Sequence, residues 1–184
     1  MKETIGFVKM VDRVARAVEK IPQMAGTEAV NFSKQRFREG NWVDHSTRPW
    51  KPRKFKGGTK RRQGRAILVD SGRLRRSIRK TLVTRDRVVI GTDVPYARAH
   101  NEGFRGTVTQ NVRAHSRRNR GGRKRGADGK FLKNQSTPTH RVRAHRRRMK
   151  INLPRRQFIG NSAVLNQRVE RLMTAQISRA IKNG

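Results

Sequence analysis

Cysteine is absent from the 184 residues, which excludes disulfides, thiolate metal sites and cysteine nucleophiles. Aromatic residues make up only 5% and hydrophobic residues 33%, so the core is modest for this length, and parts of the chain are expected to order only against a partner. Acidic residues are few, 12 against 47 lysines and arginines. No run approaches the roughly 18 apolar residues that cross a bilayer, so no membrane partner is expected. The start, Met1-Lys2-Glu3-Thr4-Ile5, has no apolar core followed by a small-residue cleavage site, and no signal peptide is expected. A Gly-rich phosphate loop ending in Lys-Ser or Lys-Thr is also missing; Gly57-Gly58 and Gly121-Gly122 read as flexible joints.

What is present is positive charge. A formal +35 cannot be neutralised within the chain, and self-repulsion opposes compactness unless anions or acidic proteins stand near. Nucleic acid is the default inference, because attraction to phosphate needs no base reading. An acidic protein surface is the rival, and charge alone does not separate the two. The length fits a single domain over residues 1–184, with residues 104–150 as a basic arm or hairpin inserted within it.

Apolar periodicity predicts an α+β fold: an antiparallel sheet with N-terminal and C-terminal helices packed on it. Phe7, Val8, Val11, Val14, Ala15, Val18 and Ile21 form a helical stripe that should end at Pro22. A second helix should begin with Thr27 as N-cap and stop at Gly40. Residues 41–65 read as an irregular basic segment in which Trp42 and Trp50 are packing anchors. Asp70 or Ser71 should cap a short turn through Arg76, with Leu74 and Ile78 on one side. Thr81-Leu82-Val83 and Arg87-Val88-Val89-Ile90 read as a hairpin, and Tyr96 to Glu102 as a short helix closed by Gly103. Val112-Arg113-Ala114-His115 and Val142-Arg143-Ala144-His145 are near-copies flanking a Gly/Arg/Lys-rich tip from Arg117 to Asn134, the pattern of a long hairpin. Met149, Ile151 and Leu153 should return a strand to the core sheet, and Asn161 or Ser162 should cap a last helix that turns Val164, Leu165, Val169, Leu172, Met173, Ile177 and Ile181 inward.

Hydrolysis or phosphoryl transfer needs carboxylates or histidines converging on one point. Asp70, Asp93, His100 and Glu102 are the clustered candidates, and helix capping and loop shaping account for them more simply, so no catalytic residue is assigned. Zinc on His115, His140 and His145 is disfavoured by the surrounding arginines and by the want of an orienting carboxylate, so no metal and no cofactor is expected. The strongest chemical signal is the basic insertion. Arg117, Arg118, Arg120, Arg123, Lys124, Arg125, Arg146, Arg147 and Arg148 would crowd one end of a hairpin, with Asp128 the only acid between Phe104 and Lys150. Such a cluster fits phosphate contact, or an acidic partner, better than a merely solvated face.

Three blocks stand in order along the chain: Leu68-Val69-Asp70-Ser71-Gly72-Arg73-Leu74-Arg75-Arg76-Ser77-Ile78, then Val89-Ile90-Gly91-Thr92-Asp93-Val94-Pro95-Tyr96-Ala97-Arg98-Ala99-His100-Asn101-Glu102-Gly103, then Pro154-Arg155-Arg156-Gln157-Phe158-Ile159-Gly160. With Phe37 and Trp50-Lys51-Pro52 upstream, they resemble the phage virion morphogenesis family of tail-completion proteins. The matching positions are Trp50, Leu68, Gly72, Leu74, Ser77, Ile78, Gly91, Tyr96, Ala97, His100, Gly103, Pro154, Arg155, Phe158, Ile159 and Gly160. The resemblance implies a small, non-enzymatic α+β protein whose matching residues serve fold and subunit contact. It implies late addition in the host bacterial cytoplasm, making a finished tail competent to join a DNA-filled head. Together with the low apolar content, it suggests a homo-oligomeric ring, six-fold favoured, at the neck of the virion. There it would meet neck or connector proteins and tail terminator or tail tube proteins, with genome DNA as a further candidate. The long arginine-rich insertion departs from shorter relatives. A ribosomal- or nucleoid-like nucleic-acid-binding protein is the alternative; it would explain the charge but not the ordered blocks.

Overall fold

The computed structural model describes residues 2–53, 65–118, 127 and 139–182. The chain divides into two compact units, one of Met1–Phe104 with Leu153–Gly184 and one of Arg105–Asn152. The class is α+β, with helices and small antiparallel ladders.

Helix α1 runs Lys2–Glu39 without a break and carries Pro22 inside it. The two N-terminal helices expected on either side of Pro22 are therefore one. An interior proline forfeits one backbone hydrogen bond and crowds the preceding turn, a cost of about 3 kcal/mol. Packing offsets it on both sides of the proline. Ile21, Met24 and Ala25 line a cleft with Val169, Leu172 and Met173 of helix α4 (Ala163–Lys182), and Arg13 Nε donates to Ala180 O at 3.3 Å. Thr27, expected as an N-cap, is mid-helix; its hydroxyl donates back to Gln23 O at 2.9 Å, the usual alternative for a helical threonine.

After Gly40 (φ +66) the chain turns into a short hairpin, β1 (Asn41–Val43) against β2 (Thr47–Pro49). The segment read as irregular thus begins with paired strands. Both tryptophans are buried: Trp42 stands edge-on to Phe32 and Trp50 edge-on to Phe37. Helix α2 (Arg73–Ser77) is entered through Gly72 at φ +77, with no side-chain cap. Asp70 is turned to Arg65 instead, and Ser71 Oγ accepts only from Arg73 N at 3.3 Å.

Strands β3 (Arg79–Val83) and β4 (Val88–Gly91) form the expected hairpin, with a register shift between Lys80 and Leu82 and a turn closed by Thr84 N donating to Arg87 O at 2.8 Å. This hairpin lies against α1 where Gly26 leaves room. A Cβ at Gly26 would stand 2.7 Å from both Lys80 Cδ and Val88 Cγ2. Helix α3 (Ala97–Asn101) follows.

Strands β5 (Phe104–Val112), β6 (His115–Arg118), β7 (Thr139–Val142) and β8 (His145–Leu153) complete the β structure. β5 pairs with β8 and β6 with β7. Among the described residues the strands pair two by two, so β8 returns to β5 and not to a shared central sheet. β3 and β4 pack on α1, and the alternation of Met149, Ile151 and Leu153 in β8 is used against β5. Ser162 caps α4 by accepting from Leu165 N at 3.2 Å while donating to Val43 O at 2.8 Å, and Asp44 Oδ1 accepts from Ala163 N. No residue of α4 is fully buried: Val164, Leu165, Val169, Leu172 and Ile177 are half-covered, and Met173 and Ile181 are exposed.

The core gathers Phe37, Trp50, Leu74, Ile78, Val94, Ala97 and Phe158, with Val30, Ile67, Leu68, Val69 and Ile159 packed around them.

Candidate functional site

The three sequence blocks meet at this core. The first contributes Leu74 and Ile78, the second Val94 and Ala97, the third Phe158, and upstream Phe37 and Trp50 close the cluster. Polar contacts then weld the blocks together. Ser77 Oγ lies 2.6 Å from Thr92 Oγ1, joining the first block to the second. Asn101 Oδ1 accepts from Phe158 N at 2.9 Å and Ile159 N at 3.0 Å, joining the second to the third. Arg156 N donates to His100 O at 2.8 Å. Trp50 Nε1 donates to Gln157 O at 2.9 Å, and Arg156 reaches Lys51 O at 3.0 Å through both Nε and Nη2. These polar groups thereby satisfy one another across the three blocks, as burial away from water demands.

Backbone geometry supports the same junction. Gly103 sits at φ +85 with Arg155 N only 3.0 Å from where a Cβ would be, so the second and third blocks approach at a distance only glycine allows. Leu68, at φ +61, holds a left-handed conformation unusual for a leucine while packing on the core.

The carboxylates that could have formed an acid–base pair are dispersed. Asp70 pairs with Arg65 at 2.9 Å, Asp93 faces Arg79 at 3.7 Å, and Glu102 takes Arg98 at 3.0 Å. His100 stands edge-on to Tyr96, with ring centroids 5.9 Å apart. Among the described residues its Nδ1 is the one buried side-chain nitrogen or oxygen without a hydrogen bond in the chain. Burial holds its imidazole below the ordinary range, and the nearby Arg156 guanidinium adds to the effect. The Arg156 guanidinium is itself lowered, first by burial and then by Arg53. Tyr96 is 43% exposed, and Arg155 is exposed and bonded to Gln157 Oε1. Of the other matching residues, Gly91 and Pro154 are half-buried at the ends of β4 and β8, and Gly160 follows Ile159 at the surface. The arrangement is a buried, hydrogen-bonded joint with no convergence of reactive groups.

The basic strands offer a different surface. Arg117 is exposed in β6 opposite His140. Arg118 pairs by its backbone with Thr139. Arg120, Arg123, Lys124 and Arg125 lie outside the described residues, as does most of the expected tip. Arg146, Arg147 and Arg148 are exposed in β8. The near-copies at the two flanks take the same local shape: His115 Nδ1 is 2.9 Å from Arg113 O, and His145 Nδ1 is 2.9 Å from Arg143 O. Those two imidazoles are engaged by the backbone, and His140 faces Arg117. Among the described residues no cluster of histidines and carboxylates could hold a metal ion. Sequence reasoning passed over Asn101 and Arg156, whose partners are distant in the chain; no local signal announces a side chain that clamps another segment's backbone.

A family model described as the phage virion morphogenesis family matches residues 6–178. No curated protein and no solved structure matches the chain.

Proposed function

The chain belongs to the phage virion morphogenesis family, and from that premise we propose that it completes the tail of a tailed phage at the head–tail junction. The family assigns a structural role in building the virion. Tail completion is the finer reading, and the ordered blocks carry it: their residues form one buried joint, suited to holding a subunit rigid and not to chemistry. The protein acts there without catalysis, bridging neck or connector proteins to the tail terminator or tail tube. No described helix is long and apolar enough to cross a membrane.

A ring of identical subunits, six-fold to match a tail tube, fits the distribution of apolar surface. Phe7 is 62% exposed, Val11 46% and Ile181 50%, although α1 and α4 pack on one another. Repeated head-to-tail contacts that close into a ring would cover such residues in every copy. The basic strands supply a face for a polyanion or an acidic neighbour. The test is a phage deprived of this protein. Filled heads should accumulate beside separate, complete-looking tails, and adding the purified protein should restore joining. Missing heads or missing tail tubes would place it at another step.

A further inference from the structure

Side chains alternate between the two faces of a strand, so residues of one parity share a face. Arg147 donates to Gln110 Oε1 through Nε at 2.9 Å and Nη2 at 2.7 Å, which sets even-numbered residues of β5 on the same face as odd-numbered residues of β8. That shared face carries Phe104, Val108, Val112, Met149 and Ile151. On β8 the accessibility pattern agrees, with Met149, Ile151 and Leu153 half-covered and Lys150 and Asn152 between them exposed; on β5 Val112 is half-covered, while Phe104 and Val108 are exposed.

The opposite face is of another kind. It carries Arg105 on β5 and Arg146, Arg148 and Lys150 on β8, all exposed. Between these cations stand Thr107, Thr109 and Asn111, short hydrogen-bonding side chains and also exposed. No acidic residue occurs in β5, β6, β7 or β8. Apart from Gln110, His145 and Arg147, the strands thus sort their side chains, apolar to one face and basic with neutral polar to the other.

The spacing suits nucleic acid. Alternate residues on a strand lie about 6.7 Å apart, so Arg146, Arg148 and Lys150 form a row with one cation for roughly every two nucleotides of duplex rise. A two-stranded ribbon also fits the major groove of B-form DNA, about 12 Å wide. Hydroxyl and amide side chains commonly join arginine and lysine on phosphate oxygens. An acidic protein partner would call for an apolar centre with charge pushed to the rim, and the basic face has no apolar side chain to supply one.

We propose that the face bearing Arg105, Arg146, Arg148 and Lys150 is a duplex-DNA contact that grips phosphates without reading bases. Arg147 is turned to the other face, held by Gln110, and takes no part. The setting, genome DNA at the junction of head and tail, rests on the tail-completion reading; the contact itself stands on the strands alone.

The test measures binding of the full chain to a random-sequence duplex as a function of salt. Each lost phosphate contact flattens the log–log slope by about 0.9, so R146Q/R148Q/K150Q should flatten it by about 2.7. R147Q should leave the slope unchanged, and so should R16Q/R171Q/R179Q, which removes as many exposed charges from α1 and α4. Circular dichroism of each variant checks that the helices persist, and the charge-conserving R146K/R148K/K150R should keep the wild-type slope. An unchanged slope for the β8 triple variant overturns the proposal. So does an equal loss from the charge-matched control, or a loss of about 0.9 for R147Q. Head–tail joining separates the two readings. If the wild-type protein restores joining and the β8 triple variant keeps its DNA slope, tail completion stands and the DNA contact falls. If the slope drops as expected but the wild-type protein does not restore joining, the contact stands and tail completion falls. A triple variant that loses joining with its DNA slope intact would assign the face to an acidic protein and overturn the DNA contact.

Discussion

Asn101 and Phe158 are 57 residues apart in sequence and joined by a hydrogen bond of 2.9 Å, from the Phe158 backbone N–H to Asn101 Oδ1. The same oxygen accepts from Ile159 N at 3.0 Å. One amide side chain thus holds the end of α3 to the segment that delivers Phe158 into the core. Removing it leaves two backbone donors without their acceptor, and an unsatisfied buried donor costs about 1–3 kcal/mol. Asn101→Ala should therefore lower stability to urea by an amount in that range. An unchanged midpoint would show that the clamp is not structural.

Two glycines of α1 make opposite predictions. Gly6 has nothing within 4 Å of a would-be Cβ, so Gly6→Ala should gain stability through helix propensity alone, by up to about 1 kcal/mol. Gly26 is where the β3–β4 hairpin approaches. The Cβ of Gly26→Ala would press on Lys80 Cδ and Val88 Cγ2, both 2.7 Å away. Lysine can swing aside, but the branched valine in a paired strand cannot. Overpacking of about 1–3 kcal/mol should outweigh the propensity gain. Thermal melts of the two variants should shift in opposite directions, and a rise for Gly26→Ala would mean the hairpin does not rest there.

Local chemistry made part of this fold legible. The β3–β4 hairpin follows from two β-branched runs about a polar turn, α3 from its closing glycine, and the start of α4 from Ser162. Pro22 misled because its local penalty is offset by Ile21, Met24 and Ala25 packing on a helix more than a hundred residues away in sequence. The tight β1–β2 hairpin was missed because Asp44-His45-Ser46 lacks the glycine that marks most short turns. At the basic strands, composition made the charge plain but not its direction. Arg146, Arg147 and Arg148 read as one run, whereas strand alternation and the Gln110 contact separate Arg147 from its neighbours.

The exposed apolar residues of α1 carry the assembly prediction. Phe7 and Val11 are one helical turn apart, 62% and 46% exposed, and make little contribution to the folded monomer. Phe7→Ser with Val11→Ser should leave the unfolding free energy within about 1 kcal/mol of wild type, as surface changes usually do. Native mass spectrometry should show the double variant shifted from the ring towards monomer. A wild-type protein that is monomeric both free and in the virion would reject the ring.

His100 supplies the last prediction. Burial, and secondarily Arg156, hold its folded-state pKa below the ordinary value of 6.5. In the unfolded chain the imidazole returns to that value, so as pH falls through it the unfolded state takes up the proton first. The unfolded state then binds more protons than the folded one, and the slope of unfolding free energy against pH is positive. The stability carried by neutral His100 is therefore complete above pH 6.5 and lost as pH falls from 6.5 towards the lowered folded pKa. Urea midpoints taken from about pH 7.5 down to about 5.5 keep clear of most carboxylate titration. Across that range wild type should lose stability as the solution is acidified, and His100→Gln should flatten the fall. Parallel curves for the two proteins would mean that the buried imidazole is not the titrating group.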